Sequence, residues 1–93
     1  MRIMYSKKSL KFLAKQDKAT VSRIRAAISK LTLKPPEGDI KAMQGSDRGK
    51  MRLRVGSHRI IYWYSENIDE TAKDQVSEIL FIDEIGNRGN IYK

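Results

Sequence analysis

Polar and apolar residues change rhythm once along this chain, from a helical period to a period of two. Val21, Ile24, Ile28 and Leu31 are spaced three, four and three apart, which places them on one face of a helix. Asp17 is a good cap for that helix, and Pro35-Pro36 followed by Gly38 ends it. Ahead of it, Ser6 can cap a shorter helix that runs through Leu10, Leu13 and Ala14, with Lys7, Lys8, Lys11 and Lys15 toward water. Arg2 to Tyr5 is short and mixed and reads as a first strand. From residue 37 to Gly45 and Gly49 the pattern predicts a loop, with Ile40 and Met43 anchoring it on the core.

The period of two begins at Lys50. Lys50-Met51-Arg52-Leu53-Arg54-Val55 alternates strictly between polar and apolar, as a half-buried strand does. Gly56-Ser57 suits a two-residue turn of type II′, because Gly at its first central position supplies the positive φ. His58 to Tyr64, aromatic and β-branched, reads as the returning strand. Val76 to Asp83 is a third antiparallel-type run, apolar on both faces, which suits a central position. The tail from Gly86 to Lys93 is too glycine-rich for a helix. The expected architecture is α+β in the order β-α-α-β-β-β: one domain, residues 1–93, with two N-terminal helices on one face of a small, mainly antiparallel twisted sheet.

A two-residue turn also sets the register of the hairpin. Val55 then faces His58, Leu53 faces Ile60 and Met51 faces Tyr62, and this side reads as core. On the other side Arg54 faces Arg59, Arg52 faces Ile61 and Lys50 faces Trp63. Four cations and one large aromatic thus share a small area. Like charges directly opposite on a sheet are destabilising, by part of a cross-strand term of about 0.2–1 kcal/mol. Such a face is either a solvated basic surface or an anion site whose repulsion phosphate relieves. Trp63 can stack a nucleic-acid base or close the sheet edge, and of the two the core role is the commoner for a lone Trp. His58 invites an acid–base role as the only His, but the register turns it to the core side.

Charge narrows the classes further. The chain carries a formal net charge of +8, which calls for a polyanionic partner. Residues 1–34 hold ten Lys/Arg and one acid, Asp17, whereas residues 35–93 hold nine and ten. Within that second part, positions 48–65 contain five cations (Arg48, Lys50, Arg52, Arg54 and Arg59) and no acid. There is no Cys and a single His, so disulfides are unavailable and a tetrahedral zinc site is not expected. No cofactor is expected. No stretch approaches the roughly 20 apolar residues of a membrane span, and no apolar run of signal length follows the first residues. A cytoplasmic location, with no membrane partner, is the default expectation.

Three segments together carry a family resemblance. The run Met43-Gln44-Gly45 leads into Gly49-Lys50-Met51-Arg52-Leu53-Arg54-Val55-Gly56-Ser57-His58-Arg59-Ile60-Ile61-Tyr62. Ile82-Asp83-Glu84-Ile85-Gly86-Asn87-Arg88 and then Ile91-Tyr92 follow. With the leading strand, the helical pair and Lys34-Pro35-Pro36, this pattern resembles the RelE branch of the RelE/ParE toxin superfamily over nearly the whole chain. The resemblance implies the toxin of a toxin–antitoxin pair, a ribosome-dependent, metal-independent endoribonuclease that cuts mRNA in the ribosomal A site and so inhibits translation. It implies a cognate antitoxin as partner, in a hetero-oligomer, besides the ribosome with its RNA and the mRNA; the free toxin is expected to be a monomer.

The family's functional positions fall on Lys50, Arg52, Arg59, Arg88 and Tyr92 as catalytic candidates. Arg54, Arg48 and Trp63 join them as RNA-binding candidates. Two departures stand out: Arg52 occupies a position where Lys is frequent in the family, and Arg is a poor proton donor; and the stretch from Arg88 to Tyr92 is short. Cleavage needs a base for the 2′-OH, charge against the phosphorane and an acid for the 5′-oxygen. Arg59 and Arg88 are expected at the scissile phosphate, with Lys50 and Arg52 adding charge and grip. Tyr92 is expected to orient or deprotonate the 2′-OH, or to stack on a base. A ParE-like inhibitor of DNA gyrase and a non-catalytic nucleic-acid-binding module remain the alternatives.

Overall fold

The computed structural model describes residues 1–45, 49–69 and 75–87. Strand β1 (Arg2–Tyr5) leads into helices α1 (Lys7–Ala14) and α2 (Lys18–Ser29), and a 3-10 turn at Lys30–Thr32 extends the second. Four strands follow: β2 (Asp39–Ala42), β3 (Met51–Val55), β4 (His58–Asp69) and β5 (Gln75–Asn87). They form one five-stranded sheet in the order β1-β5-β4-β3-β2. Only the β1–β5 pairing is parallel, so the sheet is mainly antiparallel, as the α+β reading expects.

Both helices start where the sequence places their caps. The Ser6 side chain accepts a hydrogen bond from Ser9 N and the Asp17 carboxylate one from Thr20 N, satisfying amides that have no partner within the helix. Ile24, Ile28 and Leu31 are fully buried, and Leu13 is buried with them. They pack on Leu53, Ile60, Tyr62, Leu80, Ile82 and Ile85, all from one face of the sheet. The opposite face therefore carries no helix among the described residues, and the hairpin's cations lie there.

The observed register matches expectation pair by pair: Met51 with Tyr62, Arg52 with Ile61, Leu53 with Ile60, Arg54 with Arg59 and Val55 with His58. Gly56 has φ +60°, the left-handed value expected of the turn's first central residue.

Three expectations change. The segment after Gly38 is not all loop, because Asp39–Ala42 forms the edge strand β2 and pairs antiparallel with β3. It is only four residues long and buries little beyond Ile40, so its alternation is too brief to stand out. Ile40 packs against the core as expected, but Met43 does not: it ties to the sheet only through its backbone, donating its N–H to Lys50 O. Second, Leu10 is 49% exposed, and Ser9 takes its place against the sheet at 0%. Ser9 Oγ donates to Ser6 O at 2.8 Å and reaches Ile82 O at 3.5 Å, so a small hydroxyl seats α1 close to β5. Third, β4 and β5 run well past Tyr64 and Asp83, and Gly86 and Asn87 are strand residues of β5.

Strand β5 carries one bulge. Ile61 pairs with Glu84 and Tyr62 with Ile82, which leaves Asp83 as an extra residue. Its carbonyl accepts a hydrogen bond from Ser6 Oγ, and its carboxylate reaches Lys50 on β3's side of the sheet.

Candidate functional site

The register turns the open face of the sheet into a small lattice. One row runs Asp39, Arg54, Arg59, Gly86 across β2, β3, β4 and β5. The next runs Lys41, Arg52, Ile61, Glu84. A third continues from Trp63 to Phe81 and Met4, with Lys50 leading into it from the start of β3. Alternation along each strand fixes these positions, so a one-residue slip would move every cation to the core side.

The third row is a packed cluster. Trp63 and Phe81 stack with ring centroids 4.5 Å apart and an interplanar angle of 22°. Lys50 Nζ lies 5.4 Å from the Trp63 centroid and 3.1 Å from Asp83 Oδ2. The bulge thus supplies the carboxylate that holds Lys50 over the indole, where cation–π attraction adds to the ion pair. Trp63 is half-buried and built into the sheet face.

The first two rows contain the deeper feature. A cavity of about 660 Å³ opens between β2, its following loop and the hairpin, lined by Lys41, Ala42, Met43, Gln44, Arg52 and Arg59. Among the described lining residues three are cations and none is an acid. Arg59 is 6% exposed, and its neighbour on β5 is Gly86, which puts no side chain beside it. The Arg52 side chain is 11% exposed, and its Nε is buried with no hydrogen-bond partner among the described residues. Two guanidinium groups lining one hollow favour an anion with several acceptor oxygens.

Asp39 sets the other side of this arrangement. Its Oδ1 lies 3.5 Å from Arg52 Nη2 and its Oδ2 3.6 Å from Arg54 Nε. The repulsion expected between the facing Arg54 and Arg59 is thus eased by a carboxylate on the edge strand. Arg54 itself stays 45% exposed and does not line the cavity.

None of the described tyrosines is primed as a base. Burial pushes the Tyr62 phenol well above its ordinary pKa, with Tyr64 adding to the rise. Burial also raises Tyr64 and Tyr5, against smaller opposing contributions from Tyr62 and Arg25 respectively. Tyr64 is spoken for structurally, donating to Leu31 O at 2.8 Å. His58 is half-buried with its ring edge-on to Phe12 at 5.8 Å, the core-side placement expected of it.

The sequence candidates therefore separate. Arg52 and Arg59 meet at the cavity, Arg54 stands beside it on Asp39, and Lys50 and Trp63 form a neighbouring cluster. Arg48, Arg88 and Tyr92 lie outside the described residues. Lys41 escaped the sequence reading, and Gln44 entered it only as part of the Met43-Gln44-Gly45 motif, without a place in the site. The signal for Lys41 was the alternation Asp39-Ile40-Lys41-Ala42, legible only once those four residues are taken as a strand. Among the described residues, no group of three or more His, Cys, Asp or Glu is placed to hold a metal ion, and no helix is long and apolar enough to cross a membrane.

No family model and no curated protein sequence matches the chain. Solved structures do. The chain is similar to the archaeal RelE-RelB complex from Pyrococcus horikoshii OT3, at 27% identity and a TM-score of 0.66, covering 96% of each chain. It is also similar to the RelB-RelE antitoxin-toxin complex from Methanococcus jannaschii, at 21% identity and a TM-score of 0.65, covering 96% of this chain and 94% of that one. The resemblance to RelE read from the hairpin and its flanking motifs thus holds for the fold of nearly the whole chain, which is of the RelE type.

Proposed function

We propose that this chain is the toxin of a toxin–antitoxin pair and acts as a ribosome-dependent, metal-independent endoribonuclease on mRNA in the ribosomal A site. The observation that carries the reading is the cavity floored by Arg59 and walled by Arg52, set in a fold shared with RelE chains crystallised with RelB. In this reading the RNA 2′-OH loses its proton and its oxygen attacks phosphorus, the 5′-oxygen leaves and takes up a proton as a 5′-OH, and the upstream RNA fragment ends in a 2′,3′-cyclic phosphate. Arg59 and Arg52 face the charge that grows on the phosphorane oxygens, where preorganised donors act most strongly. Lys50, held by Asp83 beside Trp63, adds grip on the RNA backbone, as does Arg54. Arg88 and Tyr92 join on the resemblance, Arg88 with Arg59 at the scissile group and Tyr92 at the 2′-OH or stacked on a base; Arg48, from the run of cations at 48–65, joins as a phosphate contact.

Arg52 is permanently charged and so serves as an electrostatic clamp, not as the proton donor. A site without a poised acid–base pair is slow on free RNA, and the ribosome supplies what it lacks by holding the substrate in line. The exposed cations of α1 and α2, Lys7, Lys8, Lys11, Lys15, Lys18, Arg23 and Arg25, would dock on ribosomal RNA. The partner that silences the toxin is an antitoxin whose acidic segment covers the cationic face.

Induction in cells with mapping of mRNA 5′ ends tests the reading. Codon-phased cuts that vanish in Arg59→Ala and Tyr92→Ala support it. Growth arrest with intact mRNA and broken DNA would point to gyrase instead, and cutting that survives Arg59→Ala would overturn the site.

A further inference from the structure

We infer that Lys41, on the edge strand β2, is a further RNA-binding residue that takes a backbone phosphate at the mouth of the cavity while Arg52 and Arg59 act deeper in it. The inference rests on the ribonuclease reading of the site and adds a residue to it. Three cations of the hairpin already have carboxylates close by. Asp39 reaches Arg52 at 3.5 Å and Arg54 at 3.6 Å, and Asp83 reaches Lys50 at 3.1 Å.

Lys41 differs. It is exposed, lines the same cavity as Arg52 and Arg59, and among the described residues has no ion-pair partner. Asp39 lies two residues away on the same face of β2, yet its two oxygens are turned to β3. Lys41 also stands directly opposite Arg52 in the β2–β3 register. Two like charges in that position repel, and a bound phosphate converts the repulsion into two attractions.

The chemistry of the positions fits a division of roles. A guanidinium held at the floor offers fixed, planar donors, whereas an ammonium on a flexible stem follows a phosphate that varies in position. The volume of about 660 Å³ falls within the range of about 300–1,000 Å³ usual for small-ligand sites, so more than one phosphate has room. Gln44 in the same lining adds a neutral amide that can donate or accept.

The test uses the full chain and a fluorescent 2′-O-methyl RNA oligonucleotide, which cannot be cut, with anisotropy titrations over a range of KCl concentrations. Loss of one phosphate contact lowers the magnitude of the log K against log salt slope by about 0.7 for a single strand. Lys41→Ala should show that change, and by the same relation bind about fivefold more weakly near about 0.1 M salt. Lys41→Arg should keep the wild-type slope, and matching thermal melts establish that both variants fold. An unchanged slope in Lys41→Ala, while Arg52→Ala lowers it, would overturn the role of Lys41 and leave the site standing. A wild-type chain that neither binds the oligonucleotide in a salt-dependent way nor cuts mRNA on ribosomes would overturn the ribonuclease reading itself.

Discussion

At the scale of single residues, the site is a matter of which charges are neutralised and how deeply each sits. Asp39 occupies Arg52 and Arg54 at distances of 3.5 and 3.6 Å, and the carboxylate itself is 56% exposed. A phosphate that engages those guanidinium groups must compete with it. Exposed ion pairs are worth about 0.2–1 kcal/mol, so removing the competing carboxylate should tighten RNA binding by about 1.4- to 5-fold. Asp39→Asn is the variant to titrate against a non-cleavable RNA. Weaker binding would mean that Asp39 holds the arginines in place for RNA. The shared face of Arg52 and Arg59 could be read from the sequence because strict alternation fixes a strand's faces. Their burial could not, because it depends on β2 and its loop closing one side and on Gly86 lying opposite Arg59.

At the scale of elements, α1 shows where pattern reading reaches its limit. An eight-residue helix makes barely two turns, so several faces carry comparable apolar content. Leu10 looks like core by type, yet the hydrogen bonds of Ser6 and Ser9 to β5 roll the helix so that Ser9 and Leu13 face inward. The consequence is measurable by chemical denaturation. Leu13→Ala should cost about 2–5 kcal/mol, as deletion of a buried leucine side chain does. Leu10→Ser should stay within about 0.5 kcal/mol of wild type, as surface changes usually do. Equal losses would contradict the observed roll of the helix. By contrast α2 was legible from Val21, Ile24 and Ile28 and from its Asp17 cap, although the helix ends at Ser29 and Leu31 stands in the 3-10 turn that follows. So was the hairpin, because a two-residue turn leaves only one register. The edge strand β2 was missed because four residues with one half-buried side chain give no period to measure, and the lining residue Lys41 was missed with it. Gly38, at φ +140°, makes that strand sensitive to substitution: a Cβ there would come within 2.7 Å of Leu53 Cδ1. Gly38→Ala should therefore destabilise the chain by about 1–3 kcal/mol and disturb the cavity wall that β2 provides.

At the scale of the whole molecule, one face of the sheet holds the core and the other holds the hairpin's cations. The helices, packed on the far side of the sheet, carry most of the surplus positive charge. The open face presents recessed cations with acids set between them, Asp39 at one edge and Asp83 and Glu84 toward the other. This separation of two basic surfaces by the thickness of the domain suits a protein that grips a large RNA with one side and acts on a strand with the other. The most direct test is cleavage on programmed ribosomes by purified protein, comparing wild type with Arg59→Ala and comparing an all-ribose mRNA with one bearing a single 2′-deoxy residue at the cut position. The account predicts cutting within the A-site codon, a loss of about 10²–10³-fold in rate for Arg59→Ala, and no cut at the 2′-deoxy position. Cutting at an undiminished rate by Arg59→Ala, or cutting of the 2′-deoxy message at the same position, would contradict it.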